Sequence, residues 1–568
     1  MKSWPLYKIP FPTKPPYNSN AMQNRLDHLA VSEAFLDLHR AWRNDPSGLL
    51  ECYQSLNRAI RTASQAVSDH MRAASQQAQS SGPEALLHWV QNLAWSSRQY
   101  HQVFSQWLTE YVTQAPDLNA QSRKRALFWT RQIMEMLAPA NSFWTNPKAV
   151  QRFIQSKGES LIRGLQNWLQ DLQRGDGLLE LTDQNAFVVG KNLAITPGQV
   201  VYRNALVEVI QYAPQTPTTW QIPVVLIQPW INKYYIFDLS PQNSLVQYLV
   251  RQGFTVFITS WKNPTADMRH VSFEDYMLQG ALQAILVARK ICHCAHVHAA
   301  GYCIGGTLLA AVMGWLAHES DPQPVVDVTL FASLLDFSEP GDLGALINPT
   351  SVEAIEQMLA HEGILKNHHM AFAFRMLNPG ELIWRFVTNN YFNGESPPRS
   401  DMLYWNSDST SLPQTMCSFY LKAFYLENRM ARPKALVLAE RAIDLKQVRQ
   451  PCYVIGAVGD HICPWTTTFQ TCRLVGGPTR YVLTSEGHIT GIVNPPSQWS
   501  RKKYWAGAAT RRRDAVKWQQ KQKPLVGSWW PDWAAWLKKR SGAQVSPPGL
   551  GCKDFPALEP APGSYVFE

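Results

Sequence analysis

Cys303 stands in the run Gly301-Tyr302-Cys303-Ile304-Gly305-Gly306, with a glycine two places to either side of the thiol. A nucleophile carried on a sharp strand-to-helix turn needs small residues at those places, because larger side chains would collide across the turn. A helix opening directly after the thiol points its N-terminus at the sulfur and favours thiolate over thiol. The backbone N–H of Ile304 is then placed to donate to an oxyanion. Such a group can accept an acyl chain as a thioester. The competing reading is a structural cysteine beside a tight turn.

Downstream residues favour the nucleophile. Asp460, in Val458-Gly459-Asp460-His461, follows Cys303 by 157 residues, and His488, in Ser485-Glu486-Gly487-His488, follows Asp460 by 28. Nucleophile, acid, base is the chain order of an acyl-transfer triad on an α/β-hydrolase sheet. Both groups come just past an apolar run, at the strand ends where open α/β sheets bind ligands. His461 is a rival base, set aside because His488 follows the later strand. Cys292-His293-Cys294-Ala295-His296-Val297-His298 is dense in metal-ligand types. No second cluster at zinc-site spacing accompanies it, and its second half reads as a buried strand, so no metal site is expected.

The elements that must hold these groups are legible in the periodicity. Ala186–Val189, Val200–Tyr212, Pro223–Ile227, Phe254–Thr259, His296–Tyr302, Val325–Phe331, Tyr453–Ala457 and Tyr481–Thr484 read as strands, with helices over Asp275–Ile291 and Thr307–Leu316. Alternating short strands and helices argue for a mostly parallel sheet. The rhythm breaks over 334–432, rich in Asn, Phe and Trp, which reads as a cap inserted over the sheet. Residues 1–185 read as a helical N-terminal region and 186–568 as the catalytic domain. Within the former, prolines 5, 10, 12, 15 and 16 mark an extended start. Tyr53, Leu56, Ile60, Ala63 and Val67 mark one helix face, and Asn146-Pro147 caps another. The latter's stripe runs Val150, Phe153, Ile154, Leu161, Leu165, Trp168 and Leu172 to a stop at Gly175.

Composition narrows the class. Of 568 residues, 45% are apolar and 17% charged, below the roughly 25% of an average globular chain, which excludes wholesale disorder. The start lacks the apolar run and small-residue cleavage site of a signal peptide, and nine cysteines at irregular spacing are no disulfide framework, so a cytoplasmic protein with reduced thiols is expected. Ala299–Ala317 is uncharged and long enough to span a bilayer, but its glycines and elbow assign it to the core, so no transmembrane segment is expected. The net charge of +10 is partly gathered in Arg501-Lys502-Lys503 and Arg511-Arg512-Arg513. These read as a solvated face, and no nucleic-acid motif accompanies them.

Several segments together resemble the polyhydroxyalkanoate synthases, which polymerise (R)-3-hydroxyacyl-CoA into storage polyester. They include Ile231-Asn232-Lys233-Tyr234-Tyr235-Ile236-Phe237-Asp238-Leu239, Ser260-Trp261-Lys262-Asn263-Pro264, the cysteine elbow through Thr307 and Tyr404-Trp405-Asn406. The same holds for Asp460-His461-Ile462-Cys463-Pro464-Trp465, Gly487-His488-Ile489-Thr490-Gly491, Gly527-Ser528-Trp529-Trp530-Pro531-Asp532-Trp533 and Ala561-Pro562-Gly563-Ser564-Tyr565-Val566. The resemblance runs from about Trp144 to the C-terminus. Ser411 departs from it, since the family usually has asparagine there.

The resemblance implies Cys303 as the acylated nucleophile, His488 as general base and Asp460 as its orienting acid, the same three residues reached from spacing. It implies no cofactor, with CoA only the leaving group. It also implies a homodimer with a mobile cap and a cytoplasmic enzyme on the surface of polymer granules, engaging the growing polyester and granule coat proteins. The bulky Tyr302 and Ile304 beside the nucleophile resemble the short-chain, single-subunit class, so 3-hydroxybutyryl-CoA is the expected substrate. A cysteine-dependent hydrolase or thioesterase, with water as acceptor, would share the elbow and triad order but not the other matching segments.

Overall fold

The computed structural model describes residues 31–77, 82–174, 177–319, 323–512 and 514–568. The proline-rich start, the stop at Gly175 and the last arginine of the second basic cluster fall outside the described residues. Strands β1 (Gly198–Arg203), β2 (Val207–Tyr212), β3 (Val224–Ile227), β4 (Val256–Trp261), β5 (Val297–Tyr302), β6 (Val325–Phe331), β7 (Cys452–Ala457), β8 (Thr479–Thr484), β9 (Lys503–Ala509), β10 (Leu525–Val526) and β11 (Glu559–Pro560) form one sheet in the order 10-9-8-7-6-5-3-4-2-1-11. The run β4-β3-β5-β6-β7-β8 is parallel, and both edges are antiparallel. Val224–Ile227 and Cys452–Ala457 are buried along their whole length, as continuous apolar strands covered on both faces must be. From β3 the chain winds outward to β4, then crosses back to β5, leaving a switch point where β3 and β5 end side by side. This is the α/β-hydrolase fold.

Two local expectations change, and one strand was not expected. Ala186–Val189 is not a strand: Gln184–Ala186 forms a 3-10 turn, and only an isolated bridge joins Val189 to Leu193. Val200–Tyr212 is a hairpin, because the Asn204 side chain accepts from the N–H groups of Leu206 and Val207 at 2.9 Å and turns the chain between β1 and β2. Strand β9 adds an antiparallel edge where Lys, Gly and Ala residues hid any alternation.

The N-terminal helices Val31–Arg43, Pro46–Gln77, Pro83–Thr113 and Ala120–Met136 close around Ala34, Trp42, Cys52, Trp107 and Ala126. On the expected face of the second helix Ala63 is buried, whereas Tyr53 is exposed. Asn146 caps the next helix by accepting from Ala149 N–H at 3.1 Å, but that helix stops at Gln155. Lys157 and Gly158 both take positive φ, 51° and 91°, and a new helix runs Glu159–Arg174. Its inward face is small and polar: a side chain at Gly164 would strike the Tyr391 carbonyl. Asp171 accepts from the Tyr391 hydroxyl at 2.6 Å, and Asn167 donates to Asn390 O at 2.9 Å. Leu165, Trp168 and Leu172 of the apolar stripe therefore face outward, with Ile162 and Leu169.

The insertion is mainly helical, with Pro349–Glu362, Asn367–Leu377 and Gln414–Tyr420 its principal α-helices. Helix Ala120–Met136 docks on it: Phe128 and Trp129 pack with Leu343, Leu346, Phe374 and Leu377. Lys124 pairs with Glu339 at 3.0 Å and Arg131 with Asp342 at 2.8 Å.

Candidate active site

Cys303 joins β5 to the helix Ile304–Leu316 with φ 53° and ψ −124°, a backbone conformation costing a non-glycine residue about 1–3 kcal/mol. The surroundings hold it there. Its N–H donates to Phe331 O at 2.9 Å, and Thr307 Oγ1 donates to Leu334 O at 2.7 Å. A Cβ on Gly301 would come within 2.5 Å of Gly306 Cα, and one on Gly305 within 2.5 Å of Ile227 O. The glycines thus let strand, turn and helix close upon one another. The first helical N–H, that of Ile304, faces the sulfur and favours its negative form.

Asp460 and His488 lie on the loops after β7 and β8. His488 Nδ1 meets Asp460 Oδ2 at 2.7 Å, and Asp460 Oδ1 accepts from Ile462 N–H at 2.9 Å and Cys463 N–H at 2.7 Å. Both acid and base are buried. The Tyr302 ring stacks on the imidazole, centroids 5.4 Å apart. The structure thus brings Cys303, Asp460 and His488 together. The histidine bonded to the acid is His488, not His461, and burial holds the His461 pKa low against the nearby charges of Asp342 and Asp460.

A fourth group was not expected. The turn over Asp460 sets Cys463 beside the elbow, and the Cys303 and Cys463 sulfurs and a His488 ring nitrogen all lie within 4.8 Å of one another. A hydrogen bond from Cys463, then the charge and hydrogen bond of His488 and the Ile304 N–H, bring the Cys303 thiol down to about 5 against the opposing effect of burial. Cys463 moves the other way: its bond to Cys303 and its burial keep it a thiol. Burial opposes charge on His488, but Asp460 and the Cys303 thiolate outweigh it and raise its pKa well above the ordinary range. These shifts all favour a charged Cys303–His488 pair with Cys463 kept neutral beside it. Cys463 was visible in the sequence only as one residue of a matching segment, and no spacing rule points to it.

The same three donors have the types and spacing to hold a soft cation. An ion there would occupy nucleophile and base together, so the cluster suits an inhibitor better than a cofactor. The other candidate cluster is dispersed. His296 bonds Gln323 O at 2.7 Å, His298 lies buried between Asp327 and Ser541 at 2.9 and 3.0 Å, and the Cys294 thiol donates to His296 O. In the basic clusters, Lys502 donates to Thr490 O and Arg511 to Val475 O.

The thiols open into an apolar cavity of about 680 Å³. Ile231 and Ile304 form its floor at the ends of β3 and β5, Phe337, Met358 and Phe374 of the insertion its walls, and Trp129 of the N-terminal helices is part of its lining. Ile304 lines this space, whereas Tyr302 lies behind it against His488 and Phe237. Of the two residues expected to crowd the acyl chain, only Ile304 is part of the cavity lining. No helix among the described residues is long and apolar enough to cross a membrane.

Comparison with known proteins agrees with this geometry. Residues 86–249 match the family model for the N-terminus of poly-beta-hydroxybutyrate polymerase (PhaC). The chain is 39% identical over 473 residues to the poly(3-hydroxyalkanoate) polymerase of Methylorubrum extorquens, covering 83% of this chain and 77% of that protein. It is 38% identical over 465 residues to the poly(3-hydroxyalkanoate) polymerase subunit PhaC of Cupriavidus necator, covering 81% and 78%. With poly(3-hydroxyalkanoate) polymerase 2 of Ectopseudomonas oleovorans it shares 38% over 453 residues, 79% and 80% of the two chains. A cysteine elbow on an α/β-hydrolase sheet and likeness at this level over most of each chain place this protein in the poly(3-hydroxyalkanoate) polymerase family.

Proposed function

We propose that the protein polymerises (R)-3-hydroxyacyl-CoA into polyester by acyl transfer through Cys303. The observation that carries this reading is Cys303 and His488 set within 4.8 Å of one another, with Cys303 lining an apolar cavity. The Cys303 thiolate attacks the thioester carbonyl, and the Ile304 N–H receives the oxyanion. CoA leaves as a thiolate and takes the proton held by His488. The acyl group then rests on Cys303 as a second thioester, so the exchange is nearly balanced and the product stays reactive. Neutral His488 takes the proton from the 3-hydroxyl of a monomer or chain end, and the alkoxide attacks the acyl carbon. Cys303 departs as thiolate beside imidazolium, and the site is reset. Asp460 orients the imidazole and stabilises its charge throughout. This sequence needs no metal or redox cofactor.

The preferred substrate in this reading is short-chain, with Ile304 limiting the branch beside the sulfur and the remaining cavity holding the chain. The insertion acts as a cap that excludes water, since hydrolysis of the acyl-enzyme would end each chain. The outward apolar face of Glu159–Arg174, with exposed Trp144 nearby in sequence, supports association with the polymer granule. The enzyme would work there in the cytoplasm as a homodimer. The test is to follow CoA release and product together. Turbid polymer accumulating with CoA supports the reading, while stoichiometric free 3-hydroxy acid would make the protein a thioesterase.

A further inference from the structure

Cys463 stands against the nucleophile for a structural reason. The Asp460–Cys463 turn wraps its own carboxylate, with Asp460 Oδ1 accepting the Ile462 and Cys463 N–H groups. That turn brings the Cys463 backbone up to the acid that His488 bonds, and its sulfur to the elbow. The Cys463 side chain is buried, its sulfur lies within 4.8 Å of Cys303 Sγ, and both cysteines are free. A disulfide needs about 2.05 Å between sulfurs, a gap that side-chain rotation and a small loop movement can close. Both thiols line the cavity, which admits a small oxidant.

We propose that Cys303 and Cys463 are a redox modification site: a hydroperoxide joins them in a reversible disulfide that removes the nucleophile from polymerisation. The Cys303 thiolate attacks the outer oxygen of the hydroperoxide, the O–O bond breaks, and the alkoxide or hydroxide leaving group takes the proton of the His488 imidazolium. Cys303 is then a sulfenic acid, two electrons more oxidised. Cys463 sulfur attacks it, the S–O bond breaks, and the Cys463 proton leaves with hydroxide as water. Two thiols and one hydroperoxide have become one disulfide, one alcohol (water, for hydrogen peroxide) and one water. Cys303, whose pKa is lowered, reacts first, and the neutral His488 left by that step lies within 4.8 Å of Cys463 and can take its proton, freeing the thiolate that resolves the sulfenic acid. A dithiol reverses the bond. Without a resolving thiol the sulfenic acid is open to further, irreversible oxidation.

The loss of activity rests on the reading of Cys303 as nucleophile, but formation of the bond does not, and the experiment separates them. The full-length enzyme is treated with graded hydrogen peroxide, and free thiols are blocked. One part is mapped by mass spectrometry without reduction, and another is assayed for CoA release before and after dithiothreitol. Rates are normalised to each variant's untreated rate. The expected result is a linked Cys303–Cys463 peptide lighter by two hydrogens, with residual activity tracking the unlinked fraction and returning with dithiothreitol. Cys463→Val and Cys463→Ser should form no link and, at peroxide doses from which the unsubstituted enzyme recovers fully, should recover incompletely. Absence of the linked peptide, or full recovery of both variants, overturns the proposal. A linked enzyme that keeps its activity overturns it too, and separately refutes Cys303 as nucleophile.

Discussion

With its pKa brought down to about 5, the Cys303 thiol should be ionised at neutral pH before substrate arrives, so its reactivity has a testable pH profile. Alkylation of Cys303 by iodoacetamide should rise with pH through about 5, not through the ordinary cysteine range. The sign follows from the pair: below that point the sulfur is protonated and the attraction to His488 is lost. Because Cys463 is the leading cause, Cys463→Val should move the profile to higher pH, and an unmoved profile would show that the neighbour is idle. Cys303→Ala and His488→Gln should both reduce CoA release to near background. Asp460→Asn should retain roughly 10–100-fold more activity, since an acid that only orients the base is lost less completely. His461→Gln as the more damaging histidine change would identify the wrong base. Cys303, Asp460 and His488 were legible because the elbow has a steric signature and the chain order of the partners is constrained. Cys463 was not, because its importance depends on how one turn folds over Asp460.

At the scale of elements, apolar spacing found helices but not always their inward faces. The stripe at Leu165, Trp168 and Leu172 has the period of a buried face. Helix Glu159–Arg174 turns it outward, because Gly164 permits backbone approach to Tyr391 and Asp171 and Asn167 find polar partners there. Gly164→Leu should therefore destabilise the fold by about 1–3 kcal/mol, the usual cost of overpacking, whereas Leu165→Gln should leave stability within roughly 0.5 kcal/mol. Thermal melts of the two variants give the comparison. If granules are the partner of the outward face, Leu165→Gln combined with Leu172→Gln should weaken co-sedimentation with polymer while CoA release in solution is kept. The central strands were legible to within a residue or two, since strands buried on both faces are continuous apolar runs. The β1–β2 hairpin was hidden by a turn that depends on a single side chain, Asn204.

Across the whole molecule, the strand ends bring Cys303, Asp460 and His488 together, and the insertion and an N-terminal helix, through Trp129, contribute to the cavity lining. The expected division at residue 185 was drawn from the change of hydrophobic period along the chain and could not show that contact, which joins segments far apart in the sequence. If the insertion is a working lid, hydrogen exchange over 334–432 should exceed that of the sheet and fall when substrate is bound. Rates matching the sheet in both states would remove the lid. Substrate choice also belongs to this scale. kcat/KM should be highest for (R)-3-hydroxybutyryl-CoA and fall gradually with added carbons, because each methylene discriminates by only about 1–3 kcal/mol. An optimum at eight carbons or beyond would show that the cavity, not Ile304, sets the preference.

Rapid quenching of the enzyme with (R)-3-hydroxybutyryl-CoA, followed by peptide mapping, bears most directly on Cys303 as the acyl carrier. The hydroxyacyl adduct should be found on the peptide containing Cys303, form no more slowly than CoA is released, and be absent from a folded Cys303→Ala variant that makes no polymer. Steady polymer formation by that variant, or an adduct accumulating on any other residue, would contradict it.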